Sequence, residues 1–276
     1  MKANIFGTRK PIIFISIAIL FFLLTVVVTR RLQYKSNIAI IPRDQMAYMI
    51  NSSQPNQNRA EFVSDRQYQT TKAFEEYKPQ YFSSAINPSN YGDRYSTDIY
   101  GRTLNNQPLI VLHETVGSAT SAINTFKNHH SNDLHQSSYH ALITLDGTII
   151  YLVPSNKRAF GAGNSVFKGA RGVETVQTNP NLPPSVNNFA YHISLETPPD
   201  GRQKSGNSDH SGYTDNQYKS LAWLLALSDI PDERITTHEE VDLSGHRFDP
   251  RSFDFNKFFN VLHAYRQPTT GDISTQ

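Results

Sequence analysis

Apolar and polar positions alternate in two distinct periods along the second half of the chain. Leu109-Ile110-Val111-Leu112 is an unbroken apolar run closed by His113, and it reads as a buried strand. Residues 120–129 then place Ala122, Ile123 and Phe126 at helical spacing. Residues 139–145 and 148–153 flank Asp146-Gly147, a dipeptide that favours a hairpin turn. In residues 189–196, Phe189, Tyr191, Ile193 and Leu195 alternate with Ala190, His192, Ser194 and Glu196, the pattern of a strand with two different faces. Thr214-Asp215-Asn216-Gln217 matches a capping box. It opens a helix with Tyr218, Leu221, Ala222, Leu224, Leu225 and Ser228 on one face, ending before Pro231. Phe255, Phe258, Phe259 and Leu262 mark a last helix. Strands and helices thus intermingle, which predicts an α/β fold: a mixed central β-sheet flanked by helices in a single domain.

The N-terminal part has a different character. Residues 12–28 are uncharged and almost wholly apolar, interrupted by Ser16 and Thr25, with Lys2, Arg9 and Lys10 before them and Arg30 and Arg31 after. At about 1.5 Å per residue the run just spans a hydrocarbon core of about 30 Å. It is longer than the roughly 7–15 apolar residues of a cleaved signal, and no small-residue cleavage pattern follows it. Residues 1–31 are therefore expected to be a transmembrane anchor, and basic residues at both ends leave its orientation open. Residues 32–91 read as a polar linker, with Tyr68, Tyr77, Tyr81 and Phe82 available to dock part of it. The folded domain is expected over 92–266 and a frayed tail over 267–276.

Composition narrows the chemistry. A net charge of +2 over 276 residues gives a nucleic-acid partner no general electrostatic support. The absence of cysteine excludes a disulfide framework and a thiolate zinc site. Residues 237–250 (THEEVDLSGHRFDP) crowd two histidines, several carboxylates and an arginine into a stretch without evident periodicity, read here as a loop. Together with His113, its His238 and Asp249 make a two-histidine, one-carboxylate set, the composition of an open zinc site. On the residues alone, His246 competes with His238. His113 is equally readable as a satisfied strand-end histidine, and Asp249 before Pro250 as a turn residue. Glu239, Glu240 and Asp242 read as a solvated loop face. His129, His130, His135, His210 and His263 read as surface residues. His192 shares the strand face of Glu196 and is a candidate to stand behind the site.

Several pieces then occur in a fixed order: Val111-Leu112-His113-Glu114-Thr115, Tyr139-His140 ahead of Asp146-Gly147-Thr148, Gly161-Ala162-Gly163-Asn164-Ser165, Ile193-Ser194-Leu195-Glu196 and the 237–250 stretch. In these pieces the chain resembles the zinc-dependent N-acetylmuramoyl-L-alanine amidases of the type 2 family, related to phage lysozyme-like amidases and peptidoglycan recognition proteins. The resemblance covers roughly residues 105–260. It implies zinc held by His113, His238 and Asp249 in a catalytic domain. It also implies hydrolysis of the amide between N-acetylmuramic acid and L-alanine in peptidoglycan or muropeptides.

Such chemistry needs a water activated by the metal, a proton acceptor and a stabilised oxyanion. Glu196 is the expected acceptor; Arg247 and Tyr139 are the expected oxyanion partners. Tyr139 and His140 are neighbours on a strand, so one of them is expected to line the cleft. Two positions depart from the family pattern. Gly161 stands where a histidine is common, and Arg247 stands where a lysine is common, exchanging a point charge for a planar fork. The implied substrate puts the domain on the periplasmic or cell-wall side of the membrane. A recognition module without catalysis is the alternative, but such relatives typically lose a zinc ligand, and all three positions are filled here.

Overall fold

The computed structural model describes residues 66–204, 206 and 208–269. The expected anchor lies outside them, as do the first half of the linker and most of the tail. Among the described residues no helix is long and apolar enough to cross a membrane. All of them belong to one of the two units into which the chain divides, residues 41–276.

Six strands make the central sheet: β1 (Tyr81–Ser83), β2 (Leu109–Glu114), β3 (Ala141–Ile143), β4 (Ile149–Tyr151), β5 (Ala190–Leu195) and β6 (Ile235–Thr237). Their order is β6-β2-β5-β3-β4-β1. β2, β3, β5 and β6 run parallel, and β4 returns antiparallel from β3 through the Asp146-Gly147 turn. Gly147 has φ +85°, and a side chain there would press into the backbone oxygen of Asn216 at 2.8 Å, so the turn needs glycine twice over.

The period of two in β2 and β5 sorts the sheet into faces. Ile110 and Leu112 of β2 join Tyr191, Ile193 and Leu195 of β5 in the main core cluster. Helices α3 (Asp215–Ala226) and α5 (Phe255–Tyr265) cover this face with Tyr218, Leu221, Phe258 and Leu262. The opposite residues, His113 on β2 and His192 and Ser194 on β5, are fully buried on the other side. There α2 (Ala119–Lys127) packs through Ala119 and Phe126 against Leu142 and Ile150.

The folded unit begins before residue 92, where sequence patterning placed the boundary. β1 pairs with β4 at the sheet edge. Helix α1 (Lys72–Glu76) buries Phe74, which stacks on Trp223 with ring centroids 5.4 Å apart. Tyr77 Oη lies 2.8 Å from Ser220 Oγ. A short antiparallel ribbon joins the two ends of the unit, pairing Tyr68–Thr70 with Arg266–Pro268.

Candidate metal centre and active site

The site forms where β2 and β6 end. Parallel pairing sets Thr237 of β6 against Leu112 of β2, so the residues that follow each strand emerge side by side. His113 is the fifth residue of β2. His238 opens α4 (His238–Val241), whose capping box is closed by Thr237 and Glu240: Glu240 N donates to Thr237 Oγ1 at 3.1 Å, and Thr237 N donates back to Glu240 Oε2 at 3.4 Å. This segment was expected to be loop. Thr-x-x-Glu carried the capping signal, but a four-residue helix is too short to show periodicity.

Asp249 lies between the two histidines. Its Oδ2 is 3.2 Å from His113 Nδ1 and its Oδ1 is 3.0 Å from His238 Nδ1. One ligand atom from each of the three residues falls within a 4.8 Å group. His113 is fully buried and His238 nearly so. His246, the competing histidine, is exposed, and its backbone N–H donates to Asp242 Oδ2 at 3.1 Å.

Burial lowers the pKa of His113 to about 4, opposed by its hydrogen bond to Asp249 and reinforced by the charges of His238 and Arg247. For Asp249 burial pushes upward, but hydrogen bonds from the two histidines outweigh it and hold the carboxyl below the ordinary range. The site therefore presents a neutral imidazole and an ionised carboxylate near neutral pH, the protonation states that metal ligands require.

Arg247 is exposed, and its charge acts on both His113 and Tyr139. The loop that carries it wraps around Asp242, whose Oδ2 accepts from the N–H of His246 and, at 3.3 Å, of Arg247. Asp242 is thus the organiser of this loop, where a solvated face was expected. Tyr139 lines the site, with its ring centroid 4.7 Å from that of His113; burial raises its pKa, so its hydroxyl stays protonated. His140 faces elsewhere. Its Nδ1 accepts from His192 N at 2.9 Å, which leaves its proton on Nε2 to donate to the Lys157 carbonyl at 3.1 Å.

Glu196 is not brought into contact with the two histidines and Asp249. Its Oε1 accepts from Ala119 N at 3.0 Å and from Arg202 Nη2 at 2.9 Å, while its Oε2 accepts from Leu145 N at 3.1 Å. It satisfies an orphan N–H at the start of α2 and ties that helix to the β3–β4 turn. Ser194, two residues earlier on the same face, is the β5 residue registered against His113.

Sequence reasoning missed Glu114 and Arg251. Both are buried and joined in a bidentate ion pair directly beneath the site. His210, expected at the surface, has a buried side chain with Nε2 3.3 Å from Glu114 Oε2. Gly161 has a physical reason: a Cβ there would stand 2.5 Å from the ring of His192, which occupies the neighbouring space.

A family profile described as N-acetylmuramoyl-L-alanine amidase matches residues 104–252, just over half of the chain and all of the site. The chain belongs to this amidase family. Its enzymatic class is accordingly that of an N-acetylmuramoyl-L-alanine amidase, a peptidoglycan hydrolase. No curated protein matches the chain. Among solved structures, it is similar to a selenomethionine derivative of AmpD, with 22% identity, coverage of 67% of this chain and 94% of the other, and a TM-score of 0.44. The solution structure of Citrobacter freundii AmpD gives 24% identity, coverage of 67% and 90%, and a TM-score of 0.39. The E. coli amidase AmiD, in complex with anhydro-N-acetylmuramic acid-L-Ala-D-γ-Glu-L-Lys, gives 19% identity, coverage of 58% and 61%, and a TM-score of 0.39.

Proposed function

We propose that this amidase is zinc-dependent, with His113, His238 and Asp249 holding the ion, and that it cleaves the N-acetylmuramoyl–L-alanine bond of peptidoglycan or its muropeptides. One observation carries the reading: two histidine Nδ1 atoms and one carboxylate converge within 4.8 Å at the ends of adjacent strands. The donor set fits zinc, being two imidazoles and a carboxylate without thiolate. When bound, zinc supplies Lewis-acid polarisation of the scissile carbonyl and activation of water.

The chain's own residues do the rest. Arg247, exposed at the rim of the site, is placed to donate to the oxygen on which negative charge develops. Tyr139 keeps its proton and offers a second donor beside His113. Glu196 holds α2 and the β3–β4 turn in position through its three donors, two on Oε1 and one on Oε2. Retention of all three ligand positions separates this reading from a recognition module without catalysis.

The protein is further proposed to be tethered by residues 12–28 with this domain on the periplasmic or cell-wall side. The near-spanning apolar run and the location of the substrate support that placement. A mature N-terminus shortly after residue 28 would replace the tether with a cleaved signal.

The deciding experiment incubates the protein with intact sacculi and, separately, with soluble muropeptides, before and after treatment with a chelator. Release of free L-alanine-headed peptides that stops on chelation and returns with added zinc is expected. Undiminished release in the chelated protein would end the zinc reading.

A further inference from the structure

The site contains a third histidine whose role the amidase chemistry leaves open. His192 Nδ1 lies 2.9 Å from His113 Nε2, and both side chains are wholly buried. The contact follows from the sheet. Ser194 is registered against His113, so His192 sits one step back on the same face and its ring reaches the far nitrogen of His113.

That far nitrogen determines what the near one can do. A neutral imidazole carries one proton. With the proton on Nδ1, His113 donates to Asp249 and offers no lone pair to a metal. With the proton on Nε2, Nδ1 is free, and the Nε2–H needs a buried acceptor. His192 Nδ1 is the acceptor within reach.

We propose that His192 is a positioning residue for the metal centre: in the metal-free protein the His113 proton can sit on Nδ1 toward Asp249, but with zinc bound His192 accepts the Nε2–H of His113 and thereby holds the tautomer in which Nδ1 is free as a ligand. The inference rests on the zinc reading of His113, His238 and Asp249. Histidine ligands generally donate their second N–H to a carboxylate, carbonyl or water; here an imidazole takes that place.

The ring of His192 is itself held. Its backbone N–H donates to His140 Nδ1, and the His140 ring stacks on it with planes 9° apart. Gly161 backs it so closely that a Cβ would stand 2.5 Å from Cγ and Nδ1 of the ring. Presenting Nδ1 as acceptor places the proton of His192 on Nε2. That atom is buried with no partner among the described residues, and leaving it so has an energetic cost. A buried orphan is retained more readily where the opposite nitrogen is in use.

The test measures zinc affinity by chelator competition for the wild-type protein and for His192→Leu, His192→Asn and Gly161→Ala. His192→Leu is expected to weaken zinc binding by about 10–100-fold. His192→Asn, whose Oδ1 can stand where Nδ1 stood, is expected to recover most of that loss. Gly161→Ala displaces the ring without altering it and is expected to weaken binding in the same sense. Wild-type affinity in the Leu variant, or an Asn variant as weak as Leu, overturns the proposal while leaving the zinc reading intact. Failure of the wild-type protein to bind zinc overturns both. Two-bond proton–nitrogen spectra of the zinc-loaded wild-type protein need no variant. His113 protonated at Nε2 and His192 unprotonated at Nδ1 are expected; the reverse at either ring overturns the assignment.

Discussion

Glu114 accepts two guanidinium hydrogen bonds from Arg251 in the protein interior, and this pair locks the two ligand-bearing segments together. Glu114 follows His113 in β2, and Arg251 lies two residues beyond Asp249. Arg251 Nη2 donates to Glu114 Oε2 at 3.1 Å and to the Gly201 carbonyl at 2.9 Å, and Thr197 Oγ1 completes the carboxylate at 3.0 Å. The arrangement of His113 and Asp249 therefore depends on a charge pair outside the His113–His238–Asp249 group.

Removing one partner strands the other charge in the interior. Arg251→Met is expected to destabilise the protein by about 3–5 kcal/mol, and to weaken zinc binding as the Asp249 loop loosens. Glu114→Gln combined with Arg251→Met is expected to recover much of that stability, since no buried charge is left unpaired. Urea unfolding of the two single variants and the double variant checks this. Independent, additive losses would show that the pair is not coupled.

The buried histidines set an acid limit. Burial lowers the pKa of His113 to about 4 from an ordinary 6.5, and it holds His140 and His192 well below the ordinary value. Between about pH 6.5 and about 4 the unfolded chain binds protons at these positions that the folded chain refuses, so stability falls as pH falls through that window. Below the folded value of His113 both states carry its proton, and its contribution stops growing. The ionised form of Asp249 stabilises the fold above about pH 4, and that contribution is lost only at still lower pH, because its folded pKa is depressed. The metal-free protein should thus have a nearly constant urea midpoint from about pH 7 to 8 and a declining one from about pH 6.5 downward. A flat profile to pH 4.5 would contradict the burial of neutral imidazoles.

Glu196→Gln discriminates two roles. The amide nitrogen would face the N–H of Ala119 or Leu145, donor against donor, and Arg202 would lose its charge partner. The contacts predict a loss of about 1–3 kcal/mol in stability, with zinc retained. A residue acting as proton acceptor would instead lose about 10²–10⁴-fold in turnover at unchanged stability. Melting temperature and turnover measured on this one variant separate the outcomes.

Arg247→Ala is expected to lower turnover by about 10²–10³-fold, the usual effect of losing one oxyanion donor. Stability and zinc content should stay near wild type, because its side chain is exposed. Arg247→Lys should retain partial activity. Full turnover in the alanine variant would remove this residue from the chemistry.

The sequence made the sheet and its polarity legible where a period was long enough to be seen. The apolar run before His113 and the alternation through Tyr191, Ile193 and Leu195 predicted β2 and β5 with their two faces, and Thr214 with Gln217 predicted the start of α3. β1 was read as linker because a three-residue edge strand is too short to alternate visibly. His113, His238 and Asp249, which the structure brings together, were legible as a set because few residue types can bind zinc without cysteine. Their supports were not. Glu114 meets Arg251 137 positions away, through the segment that follows Asp249, and His113 meets His192 across 79, through the register of the sheet. For Glu196 the strand face was correctly inferred, but the donors that occupy it come from α2 and the β3–β4 turn, which alternation within one strand does not reveal.

The ribbon between Tyr68–Thr70 and Arg266–Pro268 brings the two ends of the folded unit together, and Thr269 N donates to the Gln67 carbonyl at 2.9 Å. The unit is in effect a closed loop of chain with an arbitrary point of opening. A few residues suffice to join position 269 back to 66. The loop can then be reopened at the exposed Ala170-Arg171 turn, which interrupts neither β2 nor the 237–251 segment. The position at which any tether leaves this domain is thereby separable from the wiring of His113, His238 and Asp249.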